Sequence, residues 1–332
     1  MTAKNTSTAA TKKATTKPRT TAAKKTTVKA KAADTTKLTN TTTKPVETKP
    51  VETATKSTVT KKARGKVYVV TSGKGGVGKT TSSAATAYSF AQNGLKTVVI
   101  DFDVGLRNLD LIMGCERRVI YDLVNIVKEE ATINQAIIKD KRIDNLYIIP
   151  ASQTRDKDAL TEEGVDRVIT ELKKAFDIIL CDSPAGIEKG SLMAMRCADA
   201  AIIVTNPEVS SVRDSDRILG MLGSKTLKAQ KEGEFNEVYL LLNRYDAARA
   251  KTGAMLKAED VSEILYTPIT GIIPESLDIL EASNSGHPVT HFSDSIAAKA
   301  YSDAVDRMLG KDIPMRFSEV KVGFFKKLMG RS

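Results

Sequence analysis

The sequence has 332 residues and a formal net charge of +11 at pH 7, and this charge is unevenly distributed. Residues 1–66 contain 17 Lys and Arg and three acidic residues, so this segment carries +14 and leaves 11 − 14 = −3 for the remainder. The high net charge therefore does not indicate a general nucleic-acid-binding face on the folded part. The three cysteines form no Cys-x-x-Cys pair, which argues against a zinc, iron–sulfur or disulfide framework.

Residues 1–65 are rich in Thr, Lys and Ala, and they repeat Lys-Pro-Val-Glu-Thr at 44–48 and 49–53. The segment contains too few large apolar side chains to offset the conformational entropy that ordering the chain would cost. We therefore predict a disordered basic tail. It could be a plain linker, a contact for nucleic acid or anionic lipid, or a transit peptide. Since the sequence also lacks a secretory apolar region and a run of about 20 apolar residues, we expect a cytoplasmic protein.

From residue 66 onward, short apolar runs alternate with amphipathic helical stretches. This alternation predicts an α/β fold, with a mostly parallel sheet and helices on both faces, in one domain over 66–310. A separate segment follows at 315–332. The predicted strands are 66–71, 96–101, 146–149, 177–182, 200–205, 237–243 and 268–273, and the predicted helices are 79–92, 158–174, 211–222, 258–265, 275–284 and 293–309.

Residues 73–80 have the sequence Gly-Lys-Gly-Gly-Val-Gly-Lys-Thr between a predicted strand and a predicted helix. This fits the phosphate loop of P-loop nucleotide hydrolases, in which backbone amides surround phosphates at a helix N-terminus. We expect ATP and Mg²⁺ to bind here, with Lys79 on the β- and γ-phosphates and Thr80 on the metal. The predicted nucleotide-binding residues of the loop are Gly73, Lys74, Gly75, Gly76, Val77, Gly78, Lys79, Thr80 and Thr81.

Aspartates follow two other apolar runs of the predicted sheet. Asp182 ends one predicted strand, and Asp101 and Asp103 lie at the end of another. Because ligands of open α/β sheets bind at the carboxyl ends of the strands, we expect these carboxylates near the phosphate loop. One of them could hold the metal's water shell, and one could position the attacking water.

The C-terminal sequence FSEVKVGFFKKLMGR at 317–331 predicts a short basic amphipathic helix. Such a helix is suited to the interface of anionic lipid. The alternative is a terminal helix that docks on the folded domain. The predicted membrane-contacting residues are Phe317, Val320, Phe324, Leu328, Phe325 and Met329 on the apolar side, with Lys326 and Lys327 beside them.

A second lysine inside the phosphate loop, Lys74, resembles the signature of the MinD/ParA family of deviant Walker A ATPases. Longer strings resemble its septum-site determining MinD branch, over about 66–332: DFDVGLRNLD at 101–110, MGCERR at 113–118, PASQTRDKD at 150–158, CDSPAGIE at 181–188 and NPEVSSVRDSD at 206–216. The resemblance implies an ATP-dependent homodimer in which Lys74 reaches the phosphates of the other subunit. It also implies that Asp103 orients the water, and that Asp101 and Asp182 serve the metal with Thr80. The implied adenine neighbours are Asn243, Arg244, Pro274 and Glu275.

By the same resemblance, the chain would bind the inner face of the cell membrane as a peripheral protein and position the division septum. It would recruit a MinC-like division inhibitor through the helix near 209–219 and be released by a MinE-like activator. Two membrane helices on one dimer would bind together far more tightly than one. The alternatives are a ParA-like DNA-partitioning ATPase that uses the basic tail on DNA, and a non-hydrolysing adaptor. Residues 1–65 lie outside the resemblance.

Overall fold

The computed structural model describes residues 65–153, 155 and 159–318. These residues form an eight-stranded sheet in the order β3-β4-β2-β5-β1-β6-β7-β8, in which only β3 is antiparallel. The α/β fold predicted from the alternating pattern is therefore confirmed. The strands are β1 (Lys66–Thr71), β2 (Thr97–Asp101), β3 (Ile138–Lys139), β4 (Leu146–Ile149), β5 (Ile178–Asp182), β6 (Ala200–Thr205), β7 (Val238–Tyr245) and β8 (Ile269–Pro274).

Helices cover both faces of the sheet, as continuous apolar strands require. Consecutive residues of β1 show the alternation: Val67 packs into one hydrophobic cluster and Tyr68 into the other. The helices are α1 (Lys79–Gln92), α2 (Leu109–Ile112), α3 (Leu123–Val127), α4 (Ile133–Ala136), α5 (Glu162–Ala175), α6 (Lys189–Arg196), α7 (Val209–Lys225), α8 (Leu227–Glu232), α9 (Ala247–Lys251), α10 (Ala258–Leu265), α11 (Leu277–Asn284) and α12 (Ile296–Met308).

The parallel strands all end at one edge of the sheet, and this edge carries the predicted nucleotide site. β5 lies between β1 and β2, so that the residues that follow these strands become neighbours. In the register of β2 with β5, Asp101 is the partner of Asp182. The topology therefore brings the phosphate loop after β1 together with both aspartates.

The predicted elements differ from the observed ones mainly at their ends and in the short pieces. α1 and α10 have the predicted bounds, whereas α7 begins two residues earlier and ends three residues later than predicted. The strand β3 and the helices α2, α3, α4, α6, α8 and α9 were not predicted, because two to eight residues give too little periodic pattern.

The chain leaves α12 through a segment that Arg307 holds against the sheet. The guanidinium of Arg307 donates hydrogen bonds to the carbonyl oxygens of Thr270 (2.7 Å), Ile313 (2.7 Å) and Pro314 (2.6 Å). Because Thr270 lies in the edge strand β8, these bonds fix the exit path of the chain beside that edge.

Phe317 lies on the folded domain and not in a helical stripe. Its backbone has φ 67°, and its half-buried ring packs against both hydrophobic clusters. The prediction that Phe317 belongs to an amphipathic helix is therefore wrong, because a left-handed residue interrupts a helix at this point. The other predicted membrane residues, Val320, Phe324, Phe325, Lys326, Lys327, Leu328 and Met329, lie outside the described residues, as does the tail over residues 1–64. Within the described ranges, no helix is long and apolar enough to cross a bilayer.

Candidate nucleotide site

The phosphate loop connects β1 to the N-terminus of α1. Gly76 and Gly78 have φ of 75° and 96°, a left-handed conformation that glycine adopts without strain. Gly78 also lies so close to Asn243 that a Cβ there would be 2.4 Å from Asn243 Nδ2. The loop therefore has the backbone shape that directs its amide groups, together with the helix dipole, toward a bound anion.

Lys79 lies at the bottom of the loop. It is 7% exposed, and its Nζ donates a hydrogen bond to Ser72 Oγ at 3.0 Å. Burial lowers the pKa of Lys79, whereas the nearby charges of Asp182 and Asp103 raise it. The predicted role of this buried ammonium is to neutralise phosphate oxygens of a nucleotide.

Lys74, by contrast, lies at the rim of the loop with its side chain 44% exposed. Its Nζ contacts Glu208 Oε2 and Ser210 Oγ, both at 3.2 Å. Glu208 is the N-cap of α7, but its side chain makes no capping bond to that helix. The two lysines of one short loop thus point to different places, Lys79 inward and Lys74 outward.

Asp101 and Asp182 form a pair of buried carboxyl groups beside the loop, each 1% exposed. Burial raises the pKa of Asp101 to about 7, and the charge of Asp182 adds to this rise. Burial likewise raises the pKa of Asp182 to about 6, against the effect of a 2.6 Å hydrogen bond from Ser83 Oγ. The charge of Lys79 lowers the pKa of Asp182 but does not offset the effect of burial.

The donor set around this pair fits a magnesium ion. Asp182 Oδ2 is buried without a well-formed hydrogen bond in the described part of the chain, and the Thr80 hydroxyl is close enough to lower the pKa of Asp182. No group of three or more His, Cys, Asp or Glu residues among those described could hold a metal alone. Mg²⁺ usually keeps several waters and takes few protein ligands besides nucleotide phosphates, a role for which the Asp182 carboxylate and the Thr80 hydroxyl are suitable.

Asp103 lies near both Lys79 and the pair of buried carboxyl groups. Its backbone N–H donates to Asp101 Oδ1 at 2.9 Å, and its charge raises the pKa of Lys79 and of Asp182. Asp103 is half-buried, whereas Asp101 is buried, so Asp103 is the carboxylate that solvent can reach. The division of roles between water positioning and metal support stays a prediction.

The residues expected near adenine lie at the ends of β7 and β8. Asn243 Nδ2 donates to Val77 O at 2.7 Å, which joins β7 to the phosphate loop. Arg244 has φ 56° and an exposed side chain. Glu275 N–H donates to Tyr245 O at 3.3 Å, next to Pro274, which is the register partner of Tyr245. Of the four predicted residues, Asn243 therefore contacts the loop, and the other three lie at the ends of β7 and β8.

Four contacts of the site were not predicted, namely those of Ser72, Ser83, Glu208 and Ser210. Ser72 directly precedes the motif at 73–80, and Ser83 lies three positions after it in α1. A polar residue between a strand and a phosphate loop was the available signal for Ser72. Glu208 and Ser210 lie 134 and 136 positions from Lys74, so the sequence carried no local signal for them.

Comparisons with known proteins show what this chain is similar to. Residues 65–232 match the family model described as AAA domain. The chain is 62% identical over 267 residues to the septum site-determining protein MinD of Escherichia coli strain K12, covering 80% of this chain and 99% of that protein.

Two solved structures are similar over most of their length. The MinC:MinD cell division protein complex of Aquifex aeolicus matches with a TM-score of 0.68 and 40% identity, covering 75% of this chain and 97% of that one. The septum site-determining protein MinD complexed with Mg-ADP from Pyrococcus horikoshii OT3 matches with a TM-score of 0.64 and 27% identity, covering 75% and 99%.

Proposed function

This chain belongs to the MinD family of septum site-determining proteins, and we propose that it is an ATPase that binds anionic membrane only as an ATP-dependent homodimer. In this proposal it hydrolyses ATP to ADP and phosphate, and it positions the division septum from the inner face of the cell membrane. The premise is the identity of 62% to a MinD protein over nearly its whole length.

The observation that carries the proposal is the opposite placement of the two lysines of the phosphate loop. Lys79 is buried in its own site, where it can serve its own nucleotide. Lys74 is about half exposed, and its ammonium is held at the surface by an ion pair with Glu208 and a hydrogen bond to Ser210. A surface ion pair of this kind contributes about 0–1 kcal/mol. A phosphate group presented by a second copy can therefore compete for Lys74, and this makes the γ-phosphate a bridge between subunits.

The remaining residues divide the chemistry between them. Thr80, Asp101 and Asp182 would hold Mg²⁺ and its waters, and the bound metal supplies neutralisation of phosphate charge. Asp103, the more exposed carboxylate, would accept a hydrogen bond from the attacking water and orient it. Lys74 in trans would stabilise the charge that develops in the transition state. Asn243, Arg244, Pro274 and Glu275 would flank the adenine.

Membrane attachment rests on the basic apolar sequence that follows Phe317. The predicted lipid-contacting residues 320–329 follow directly on the segment that Arg307 and Phe317 hold to the folded domain. One short segment of this kind binds lipid weakly, and a dimer presents two, with a gain of roughly 10²–10⁴-fold. ATP binding would thus control attachment, and hydrolysis would release the protein.

We further propose that the protein works with a MinC-like partner and a MinE-like activator. The support is a solved complex of MinC with a MinD chain that is 40% identical to this one. The basic N-terminal tail, with +14 over residues 1–66, is the one feature that favours an additional contact with DNA or lipid. The contribution of this tail to binding can be measured separately by deleting it, because the tail lies at the opposite end of the chain from the proposed membrane segment.

The test is co-sedimentation with vesicles that contain anionic phospholipid, in ATP–Mg²⁺ and in ADP–Mg²⁺. We expect the full chain to pellet with ATP and to remain largely soluble with ADP. A chain that ends at Pro314 and the Lys79→Ala variant should both stay in the supernatant. Equal pelleting with both nucleotides would contradict the proposed coupling of membrane binding to ATP. Retention of DNA on a filter by the full chain, lost on deletion of residues 1–65, would favour the DNA-partitioning alternative.

A further inference from the structure

Ser72 connects the two lysines of the phosphate loop. Its side chain is 1% exposed at the end of β1, where its Oγ lies 3.0 Å from Lys79 Nζ and 2.7 Å from Lys74 O. We propose that Ser72 is a positioning residue whose single hydroxyl fixes both the side chain of Lys79 and the backbone that carries Lys74. The proposal deepens the ATPase function and rests on it.

The chemistry of the three groups sets the direction of both hydrogen bonds. The ammonium of Lys79 can only donate, and the carbonyl of Lys74 can only accept. The hydroxyl of Ser72 must therefore accept from Lys79 and donate to Lys74 O at the same time. Alanine can form neither bond, whereas threonine can form both.

The surroundings make this hydroxyl a fixed reference point for the loop. A Cβ on Gly73 would come 2.3 Å from the backbone of Asp214 in α7, so the chain next to Ser72 already touches a helix. Ser72 O also accepts a hydrogen bond from Gly186 N–H at 3.4 Å. Since the backbone of Ser72 is held from two sides, its hydroxyl can restrain the more exposed loop that follows.

The hydroxyl of Ser72 connects the buried Lys79 with the exposed Lys74. Lys79 serves the nucleotide of its own subunit, and Lys74 is proposed to serve that of the second copy. A shift of either lysine by a fraction of an ångström is costly to the chemical step, because that step depends on alignment. Binding of ADP depends less on this alignment, since the loop amides and the helix N-terminus already hold phosphate.

The expected result for Ser72→Ala is a split between turnover and binding. We expect kcat for ATP to fall about tenfold, with the affinity for ADP within about threefold of the wild type. Ser72→Thr should restore kcat to within about threefold. The matched control is Ser89→Ala, which removes another buried serine hydroxyl, one that has no hydrogen-bond partner among the described residues.

A second measurement needs no activity. In the nucleotide-free protein, amide hydrogen exchange across residues 73–79 should be faster in Ser72→Ala and unchanged in Ser89→Ala, with Ser72→Thr close to the wild type. If the wild type showed no ATP turnover while this exchange pattern held, the proposed function would fail and the role of Ser72 would stand. Exchange across 73–79 that is the same in Ser72→Ala and the wild type would overturn the role of Ser72, as would wild-type turnover in that variant.

Discussion

Asp101 and Asp182 are register partners on adjacent parallel strands, and both carboxyl groups are buried at the edge of the sheet where the phosphate loop lies. Their pKa values, about 7 and about 6, are far above those of exposed aspartates, chiefly because burial disfavours the charged forms. The charge of Asp182 adds to the rise at Asp101, and the charge of Asp103 adds to the rise at Asp182. The nucleotide-free site is therefore destabilised by the same carboxylates that suit it for a magnesium ion.

A first prediction concerns the pH dependence of stability without metal or nucleotide. Between pH 4 and pH 7 the folded protein keeps protons on this pair that the unfolded chain has released, so the free energy of unfolding should fall as pH rises. Asp101→Asn should stabilise the metal-free protein at pH 7.5 by about 1–2 kcal/mol and flatten this dependence. Denaturant unfolding in EDTA at several pH values measures both effects. A variant less stable than the wild type at pH 7.5 would show that the pair is not under this strain.

A second prediction concerns Gly78, where glycine meets both a backbone and a packing requirement. Gly78→Ala should weaken nucleotide binding strongly, because the new Cβ would lie 2.4 Å from Asn243 Nδ2 and would displace either the loop or the side chain that donates to Val77 O. The matched control is Gly94→Ala, which has a similar φ of 82° with no atom within 4 Å of the added Cβ. Both variants should lose about 1–2 kcal/mol of stability from the left-handed backbone. Calorimetry with ADP separates them, and tight ADP binding by Gly78→Ala would contradict the role given to this contact.

A third prediction separates the two lysines. Lys74→Ala should bind ADP with nearly wild-type affinity, because Lys74 points out of its own site, but it should lose ATP-dependent turnover by at least about 100-fold. Lys79→Ala should lose nucleotide binding itself. Fluorescent ADP titration and phosphate release measure these two properties. Equal loss of ADP affinity in both variants would mean that Lys74 serves its own subunit.

A fourth prediction concerns the segment that follows α12. Arg307→Gln removes hydrogen bonds to three carbonyls and should release the chain around Phe317, so cleavage by chymotrypsin after Phe317 should accelerate about tenfold. ATP turnover should not change, since the three carbonyls that accept these bonds, of Thr270, Ile313 and Pro314, belong to none of the residues placed in the nucleotide site. The control is Arg249→Gln, an exposed residue paired only loosely with Glu275 at 3.9 Å. Unchanged cleavage in Arg307→Gln would show that these bonds do not hold the segment.

The sequence was sufficient for the sheet, the phosphate loop and the edge at which the aspartates lie. These features depend on local patterns: continuous apolar strands, the spacing of glycines, and aspartates directly after strands. The partnership of Asp101 with Asp182 required the strand order, which places β5 between β1 and β2. Apolar runs alone do not determine that order.

Contacts between distant parts of the chain could not be predicted. Asn243 reaches Val77 across 166 positions, and Lys74 reaches Glu208 across 134. Phe317 was assigned to a helical stripe because its spacing to later apolar residues fits a helix, whereas its backbone conformation and packing come from tertiary contacts with the folded domain. The periodicity of apolar residues indicates which side of a segment is apolar, but it does not indicate what packs against that side.

The central claim is that ATP joins two copies of this chain through Lys74. Sedimentation velocity of an Asp103→Ala variant, expected to hydrolyse ATP slowly, tests it most directly when run with saturating ATP–Mg²⁺ and with ADP–Mg²⁺. The account predicts a dimer with ATP, a monomer with ADP, and a monomer with either nucleotide when Lys74→Ala is added. A monomer in ATP–Mg²⁺, at a concentration where bound nucleotide is measured in the same sample, would contradict it.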